Sequence, residues 1–292
     1  MKRGKSRRLF KKKKSHSNQR LGCIIAIIVL IPICYGLYLY YQQYSVQHSS
    51  KPQIETSVSL PTPSGKDLEI PVSLIPRQEQ IIRHKGYTVS YNKDLKIPNW
   101  VSYELTRQET KGKEKRGDNF IADPLVKGAI ATNADYARSG YDKGHMAPAA
   151  DMKWSPDVMK ESFYFSNMCP QHPQLNRRGW KNLEEKIRDW AVADSAIIII
   201  CGPIIDKPSK TIGKNKVAVP ERFFKVILSP FVKPARGIGF LLNNRQAVEP
   251  LSTYAVSIDS IEKLTHMDFF SPLPDEIENA VEANADYYQW PR

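Results

Sequence analysis

Cysteine is scarce in this sequence, with four residues among 292. So few cysteines exclude a small protein held together by a disulfide framework, and their spacing is not that of a zinc site. Cys23 and Cys34 lie in an apolar run, where they serve as small hydrophobic side chains. Cys169 and Cys201 could form a disulfide in an oxidising compartment, but we expect both to be core thiols.

Acidic residues are absent from the first 20 positions, which hold ten lysines or arginines. The formal net charge of the chain is +13, and without this segment it falls to +3. The overall charge therefore gives no reason to expect nucleic-acid binding by the rest of the chain. A basic tail could itself bind nucleic acid or lipid. The simpler interpretation is that it sets the orientation of a membrane segment.

Charged residues are also absent from residues 21–41. A run of about 20 apolar residues is long enough to cross a bilayer as a helix. Basic residues ahead of it predict a cytoplasmic N-terminus, so the rest of this single-pass protein would lie outside the cell membrane. A cleaved signal peptide is the alternative, but its apolar core is usually only about 7–15 residues long. We therefore favour an uncleaved anchor.

Periodic apolar patterning is weak in residues 42–80, where Ser, Gln and Pro dominate. Such a composition is typical of an extended linker. We predict a basic tail at 1–20, a transmembrane anchor at 21–41, this linker, and a folded domain at 81–292.

The folded domain mixes strands and helices without regular βαβ alternation, which predicts the α+β class. Its best-defined helix is predicted at residues 178–192, where Trp180, Leu183, Ile187 and Trp190 recur at intervals of three and four. Asn176 is of a residue type that caps helix N-termini. Other segments read as strands at 86–92, 99–106, 195–201, 223–228 and 237–242, helices at 156–165 and 257–265, and a turn at 141–148. We expect Gly202-Pro203 to end the strand at 195–201.

Several polar residues around this turn and helix could carry chemistry, although each has a simpler explanation. A neutral histidine such as His145 can take a proton from water near neutral pH, but a turn histidine is more often bonded to backbone. Asn176 offers an amide oxygen of the kind that binds Mg²⁺, or merely caps the helix. Glu184 and Arg188 are four residues apart and could form an ordinary surface ion pair. Arg116 lies in a long polar loop, where it could be a solvated charge.

Together these residues resemble the DNA/RNA non-specific endonuclease family, the ββα-metal (His-Me finger) nucleases that include mitochondrial endonuclease G. The family's Asp-Arg-Gly-His-x-x-Pro motif appears here as Asp142-Lys143-Gly144-His145-Met146-Ala147-Pro148. Its downstream motifs appear in the same order, as Ser166-Asn167, Pro170-Gln171, Leu175-Asn176, Gly179, Trp180 and Leu183-Glu184. The resemblance extends over residues 82–278.

The resemblance implies a metal-dependent endonuclease that cuts DNA and RNA with little sequence preference. His145 would be the general base, and Asn176 would bind one Mg²⁺, for which Mn²⁺ could substitute. Glu184 would hold a water on the metal. Arg116 and Arg188 would stabilise charge on the phosphate. Asn167 would bind substrate and support the geometry of the histidine and the metal. The family also includes homodimers.

Lys143 departs from the family pattern, which has Arg at this position. Lysine keeps the charge but loses the planar fork that grips a phosphate through two hydrogen bonds. We therefore expect altered substrate binding with intact chemistry. Three other readings stay open: a nucleic-acid-binding module with weak catalysis, a phosphodiesterase of narrower substrate range, and a membrane protein whose basic tail is the working part.

Overall fold

The structure, a computed structural model, describes residues 68–205 and 210–291. Its centre is a seven-stranded antiparallel sheet with the strand order β12-β11-β10-β7-β4-β3-β2. The strands of this sheet are β2 (Gln80–Arg83), β3 (Thr88–Asn92), β4 (Ile97–Thr106), β7 (Ala196–Ile204), β10 (Arg222–Ser229), β11 (Arg236–Asn243) and β12 (Ala255–Val256). Three two-stranded pairs lie outside it, namely β1 (Val72–Ser73) with β13 (Met267–Asp268), β5 (Asp142–His145) with β6 (Met168–Gln171), and β8 (Thr211–Ile212) with β9 (Val217–Ala218).

Strand β7 lies in the middle of the sheet because its sequence is apolar on both faces. Ile197 and Ile199 belong to the core on one side, whereas Ile198 and Ile200 belong to the core on the other. A strand buried on both faces reads as a continuous apolar run rather than an alternating one. The strand predicted at residues 195–201 is confirmed, and it extends three residues further, to Ile204.

Five α-helices accompany the sheet in the described part of the chain. They are α1 (Asn133–Tyr136), α2 (Pro156–Glu161), α3 (Lys181–Asp194), α4 (Ile258–Thr265) and α5 (Asp275–Glu282). Helix α3 buries Leu183, Ile187 and Trp190 in the first core, as its periodicity predicted. Helices α4 and α5 bury Ile258, Ile261 and Val281 in the second core, on the opposite face of the sheet.

The expectations for Gly202-Pro203 and for Asn176 were wrong. Gly202-Pro203 does not end β7, because Pro203 lies opposite Phe223 in the register of β7 and β10 and the strand runs on. Asn176 does not cap a helix that starts after it, because a π-helical turn, Leu175–Trp180, precedes α3 and already contains it. Cys169 and Cys201 are buried free thiols, as we expected.

The folded domain begins before the predicted boundary at Ile81. Leu68 is buried in the second core, and β1 pairs with β13. A two-residue strand is too short to show alternation, which is why the sequence did not reveal it. The basic tail, the apolar segment 21–41 and the linker up to residue 67 lie outside the described residues. Within the described residues, no helix has the length and apolar character needed to span a membrane.

Gly202 lies where strands β4, β7 and β10 meet, and a Cβ atom there would overlap the carbonyl oxygen of Asn99. We therefore expect Gly202→Ala to lower the free energy of unfolding by about 1–3 kcal/mol, the usual range for overpacking. Gly117→Ala is the matched control, because its Cβ would lie at an ordinary 3.4 Å from the ring of Phe163. Urea unfolding of both variants measures the difference, and equal midpoints would contradict the expected overlap.

Candidate active site

The antiparallel pair of β5 and β6 positions His145. The sequence analysis assigned residues 141–148 to a turn, but Asp142–His145 within it form a strand because they pair with Met168–Gln171. Gly144 allows this close pairing, because a Cβ atom there would collide with the side chain of Gln171. His145 lies opposite Met168 in this pair. The indole Nε1 of Trp180 donates a hydrogen bond of 3.3 Å to the backbone oxygen of His145. The histidine backbone is thereby fixed from two directions.

The imidazole of His145 lies between aromatic rings. Its centroid is 5.0 Å from that of Phe163, in an edge-on arrangement, and 5.6 Å from that of Phe120. His145 is 7% exposed, and its Nε2 has no hydrogen-bond partner within the described part of the chain. Burial, reinforced by the positive charges of Arg116 and Lys143, lowers the pKa of His145 to about 3. The ring is therefore neutral at physiological pH.

Asn167 holds the backbone just after His145. Its side-chain oxygen accepts from the amide of Ala147 at 2.8 Å, and its side-chain nitrogen donates to the carbonyl oxygens of Ala147 and Ser162. Asn167 is fully buried. Its position fits the expected support of the histidine, and its hydrogen bonds are directed to backbone.

Asn176 lies on the π-helical turn and faces the beginning of β5. Its side-chain nitrogen donates to Oδ2 of Asp142 at 2.9 Å. Arg177 grips the same carboxylate with two hydrogen bonds of 2.8 Å. When the nitrogen of an amide is held in this way, its oxygen is oriented away and can accept a hydrogen bond or bind a cation. Asp142 thus orients the Asn176 side chain, a function that the sequence did not reveal.

Glu184 lies one turn into α3, near a group of charges. Its pKa is raised to about 8, chiefly by burial and also by the charge of Asp151, against the opposing effects of Lys225, Arg188 and Arg116. Lys225 is fully buried on β10, with its Nζ 4.6 Å from the ring centroid of Trp180. The positive charge of Lys225 favours the ionised form of Glu184 and so opposes the rise in its pKa.

Arg188 forms its ion pair with Asp151 rather than with Glu184. Nη1 of Arg188 lies 2.8 Å from Oδ1 of Asp151, and Tyr103 donates to the other carboxylate oxygen at 2.8 Å. The Asp151 side chain is 1% exposed and that of Arg188 is 21% exposed. The surface ion pair considered from the sequence is not formed, because the buried carboxylate of Asp151 is the partner that Arg188 satisfies.

Arg116 and Lys143 bring positive charge to the mouth of the site. The guanidinium carbon of Arg116 is 5.6 Å from the ring centroid of Phe163, although the residue belongs to a distant loop. Nζ of Lys143 lies 4.1 Å from the ring centroid of Phe120 and donates to Asn133 at 2.8 Å. Both charges act on the pKa of His145. The structure therefore gathers His145, Arg116, Lys143, Glu184 and Arg188 around one region.

Sequence reasoning missed Asp151 and Lys225. Lys225 interrupts the apolar segment Phe223–Leu228, and an isolated lysine in such a strand suggests a solvent-facing position. The available signal for a buried lysine was that its neighbours in the strand are apolar on both sides, without the alternation of a half-exposed strand. Asp151 follows Ala149-Ala150 in a turn and carries no signal of its own.

The paired strands β5 and β6 and the helix α3 that follows them carry His145 and Glu184 within a mixed α/β nuclease fold. The chain belongs to the DNA/RNA non-specific endonuclease family, whose model matches residues 64–276. It is therefore an endonuclease-type hydrolase that acts on nucleic acid.

Individual relatives agree with this assignment. The chain is 30% identical over 250 residues to a nuclease of Nostoc sp., covering 80% of this chain and 88% of that protein. It is 33% identical over 213 residues to human mitochondrial endonuclease G, covering 67% of this chain and 71% of that protein. The crystal structure of an EndoG/EndoGI complex superimposes with a TM-score of 0.63 at 29% identity, covering 68% of this chain and 89% of that one.

Proposed function

We propose that this protein is a Mg²⁺-dependent endonuclease that hydrolyses the phosphodiester bonds of DNA and RNA with little sequence specificity. The observation that carries the proposal is the neutral, buried imidazole of His145, whose Nε2 is bonded to no described residue. A neutral imidazole whose Nε2 carries no other hydrogen bond can accept a proton from an attacking water. Membership in a nuclease family supplies the substrate class.

The donor set around the site fits a hard divalent cation. Asn176 presents an amide oxygen because Asp142 holds its nitrogen, and Glu184 adds a carboxylate on the following helix. Mg²⁺ prefers oxygen ligands and retains several waters, so few protein ligands are needed. Asn176 would hold the ion directly and Glu184 would hold one of its waters. When bound, the ion would polarise the phosphate and neutralise charge on the leaving oxygen.

The chain's own cations would stabilise the negative charge that develops on the phosphate. Arg188 is held in place by Asp151, and Arg116 and Lys143 flank the histidine. A cleft of about 420 Å³ reaches Tyr141, the residue before β5, and is lined in part by Lys210, Asn244 and Arg245. Contacts of this kind engage the sugar-phosphate backbone rather than base edges, which gives affinity without sequence choice.

We also propose that residues 21–41 anchor the protein in the cell membrane with the nuclease domain outside. The uncharged length of this segment and the basic residues before it support this location. Homodimer formation stays a prediction from the family resemblance.

The purified full-length chain, in detergent, tests the proposal when it is incubated with plasmid DNA and with total RNA. We expect both to be degraded with Mg²⁺ and neither with EDTA. Degradation of one substrate alone would indicate a phosphodiesterase of narrower substrate range, with Lys143 as the residue expected to alter substrate binding. Tight DNA binding without cleavage in any divalent cation would contradict the proposal.

Asp142 should control metal affinity through the orientation of Asn176. We expect Asp142→Ala to raise the Mg²⁺ concentration needed for half-maximal cleavage by about 10–100-fold, the usual effect of removing a residue that orients a metal ligand. Maximal activity should recover at high Mg²⁺. Arg177→Ala is the control, because it leaves the bond between Asp142 and Asn176 intact. If Arg177→Ala raises the Mg²⁺ concentration for half-maximal cleavage as much as Asp142→Ala does, Asp142 does not act by orienting Asn176.

Metal affinity should also depend on pH through Glu184. Because its pKa is raised to about 8, the carboxyl carries a proton below that pH and must release it when the cation binds. Apparent Mg²⁺ affinity should therefore fall as pH is lowered below 8, by at most about tenfold per pH unit, and level off above it. Mg²⁺ titrations of the wild type and of Glu184→Gln at pH values from about 6 to about 9, on both sides of the pKa, measure this effect. The apparent Mg²⁺ affinity of the variant should not depend on pH in this range.

A further inference from the structure

Five carboxylates converge on the face of the sheet that is opposite the nuclease site. They come from three elements: Asp259 and Glu262 from α4, Asp268 from β13, and Glu278 and Glu282 from α5. These elements pack on the second core, which excludes the residues around His145. The cluster is therefore separate from the nuclease site.

The ligand atoms of these side chains are close enough to share a cation. One group contains Asp259, Glu262 and Glu282, the other contains Asp268, Glu278 and Glu282, and the oxygen atoms within each group lie within 4.8 Å of one another. Glu282 belongs to both groups. No lysine or arginine forms an ion pair with any of the five acids in the described part of the chain.

Glu282 gives independent reason to expect a ligand. It is 6% exposed, and its Oε1 is buried without a hydrogen-bond partner among the described residues. Burial, with the charges of Glu262, Glu278, Asp268 and Asp259, raises the pKa of Glu282 to about 9. An unpaired buried carboxyl destabilises a fold, and a cation at this position would satisfy it.

We propose that this cluster is a binding site for a divalent cation of the Ca²⁺ type, with Glu282 as its central ligand. Ca²⁺ accepts about six to eight oxygen ligands in a flexible geometry, which suits several carboxylates whose oxygens lie within 4.8 Å of one another. Mg²⁺ demands a near-ideal octahedral geometry and gives up its waters reluctantly. A set of carboxylates from three separate elements therefore favours Ca²⁺, and binding would tie α4, α5 and β13 together.

Thermal unfolding of the purified full-length chain in detergent tests this site. The Asn176→Ala variant serves as the background, so that cation binding at the nuclease site does not contribute. In this background we expect Ca²⁺ at a hundred times its dissociation constant to raise the Tm by about 5–10 °C relative to EDTA. Calorimetric titration with Ca²⁺ should detect the same binding, and Mg²⁺ should give a smaller shift.

Adding Glu282→Gln to this background should abolish the Ca²⁺-dependent shift, and adding Asp268→Asn should reduce it. Asp268→Asn also supplies the test if the glutamine variant fails to fold. Glu276→Gln is the matched control, because Glu276 is an exposed acid on the same helix outside the cluster, and it should keep the full shift. A Ca²⁺ shift that persists unchanged in the cluster variants, or no shift and no binding heat in the background variant, would overturn the proposal.

Discussion

Cleavage of plasmid DNA should fall by about 10²–10⁴-fold in His145→Asn, the usual contribution of a general base. Asparagine retains a polar side chain at this position but cannot accept the proton of the attacking water. His266→Asn is the matched control. His266 ends α4 on the other face of the sheet with a positive φ of 52°, which asparagine tolerates. Initial rates under saturating Mg²⁺ measure the effect.

Equal rates for His145→Asn and His266→Asn would remove His145 from the mechanism.

The pH dependence of the stability of His145→Asn tests the environment of the ring. Because the fold lowers the pKa of His145 from 6.5 to about 3, the unfolded chain binds the proton more readily between these values. The wild type should therefore lose stability as pH falls from 6.5 towards 3, and His145→Asn should lack this part of the loss.

Asp151→Ala should reduce the free energy of unfolding by about 3–5 kcal/mol, the cost of removing one partner from a buried ion pair. It strands the Arg188 guanidinium and leaves the Tyr103 hydroxyl without its acceptor. Chemical unfolding of the full-length chain gives the value. Asp189→Ala is the control, because Asp189 is an exposed acid on the same helix as Arg188, and it should change stability by less than about 0.5 kcal/mol.

If the two aspartate variants unfold at the same denaturant concentration, the pair of Asp151 and Arg188 is not what stabilises this region. Activity adds a second criterion. Loss of Asp151 should lower cleavage even under conditions where the variant is fully folded, since Arg188 is no longer held beside Glu184. Loss of Asp189 should leave cleavage unchanged.

Much of this architecture could be predicted from the sequence, because the features that were found are local. Helix α3 was visible through the spacing of Trp180, Leu183 and Ile187, and β7 through its apolar run. The residues of the nuclease site were found through their resemblance to family motifs rather than through their chemistry. His145 alone would have been read as an ordinary turn histidine.

The features that were missed depend on contacts between distant segments. Asp142 was part of a recognised motif, but its hold on Asn176 requires the π-helical turn to approach β5. Lys225 was hidden because both faces of β10 are covered, so that a lysine among apolar neighbours lies inside rather than in solvent. Strand β5 was read as part of a turn because it pairs with β6, a segment more than 20 residues further along the chain.

The continuous stretch from β5 to α3 has a consequence for how this nuclease can diversify. Asp142, His145, Asn176 and Glu184 all lie within it, whereas Arg116 reaches the site from a loop that precedes it. Only part of that loop is tied to the site, because Phe120 packs against the ring of His145 whereas Arg116 brings its charge from further out. Changes near Arg116 would therefore alter the outer charge of the site, while the stretch from β5 to α3 keeps its own geometry.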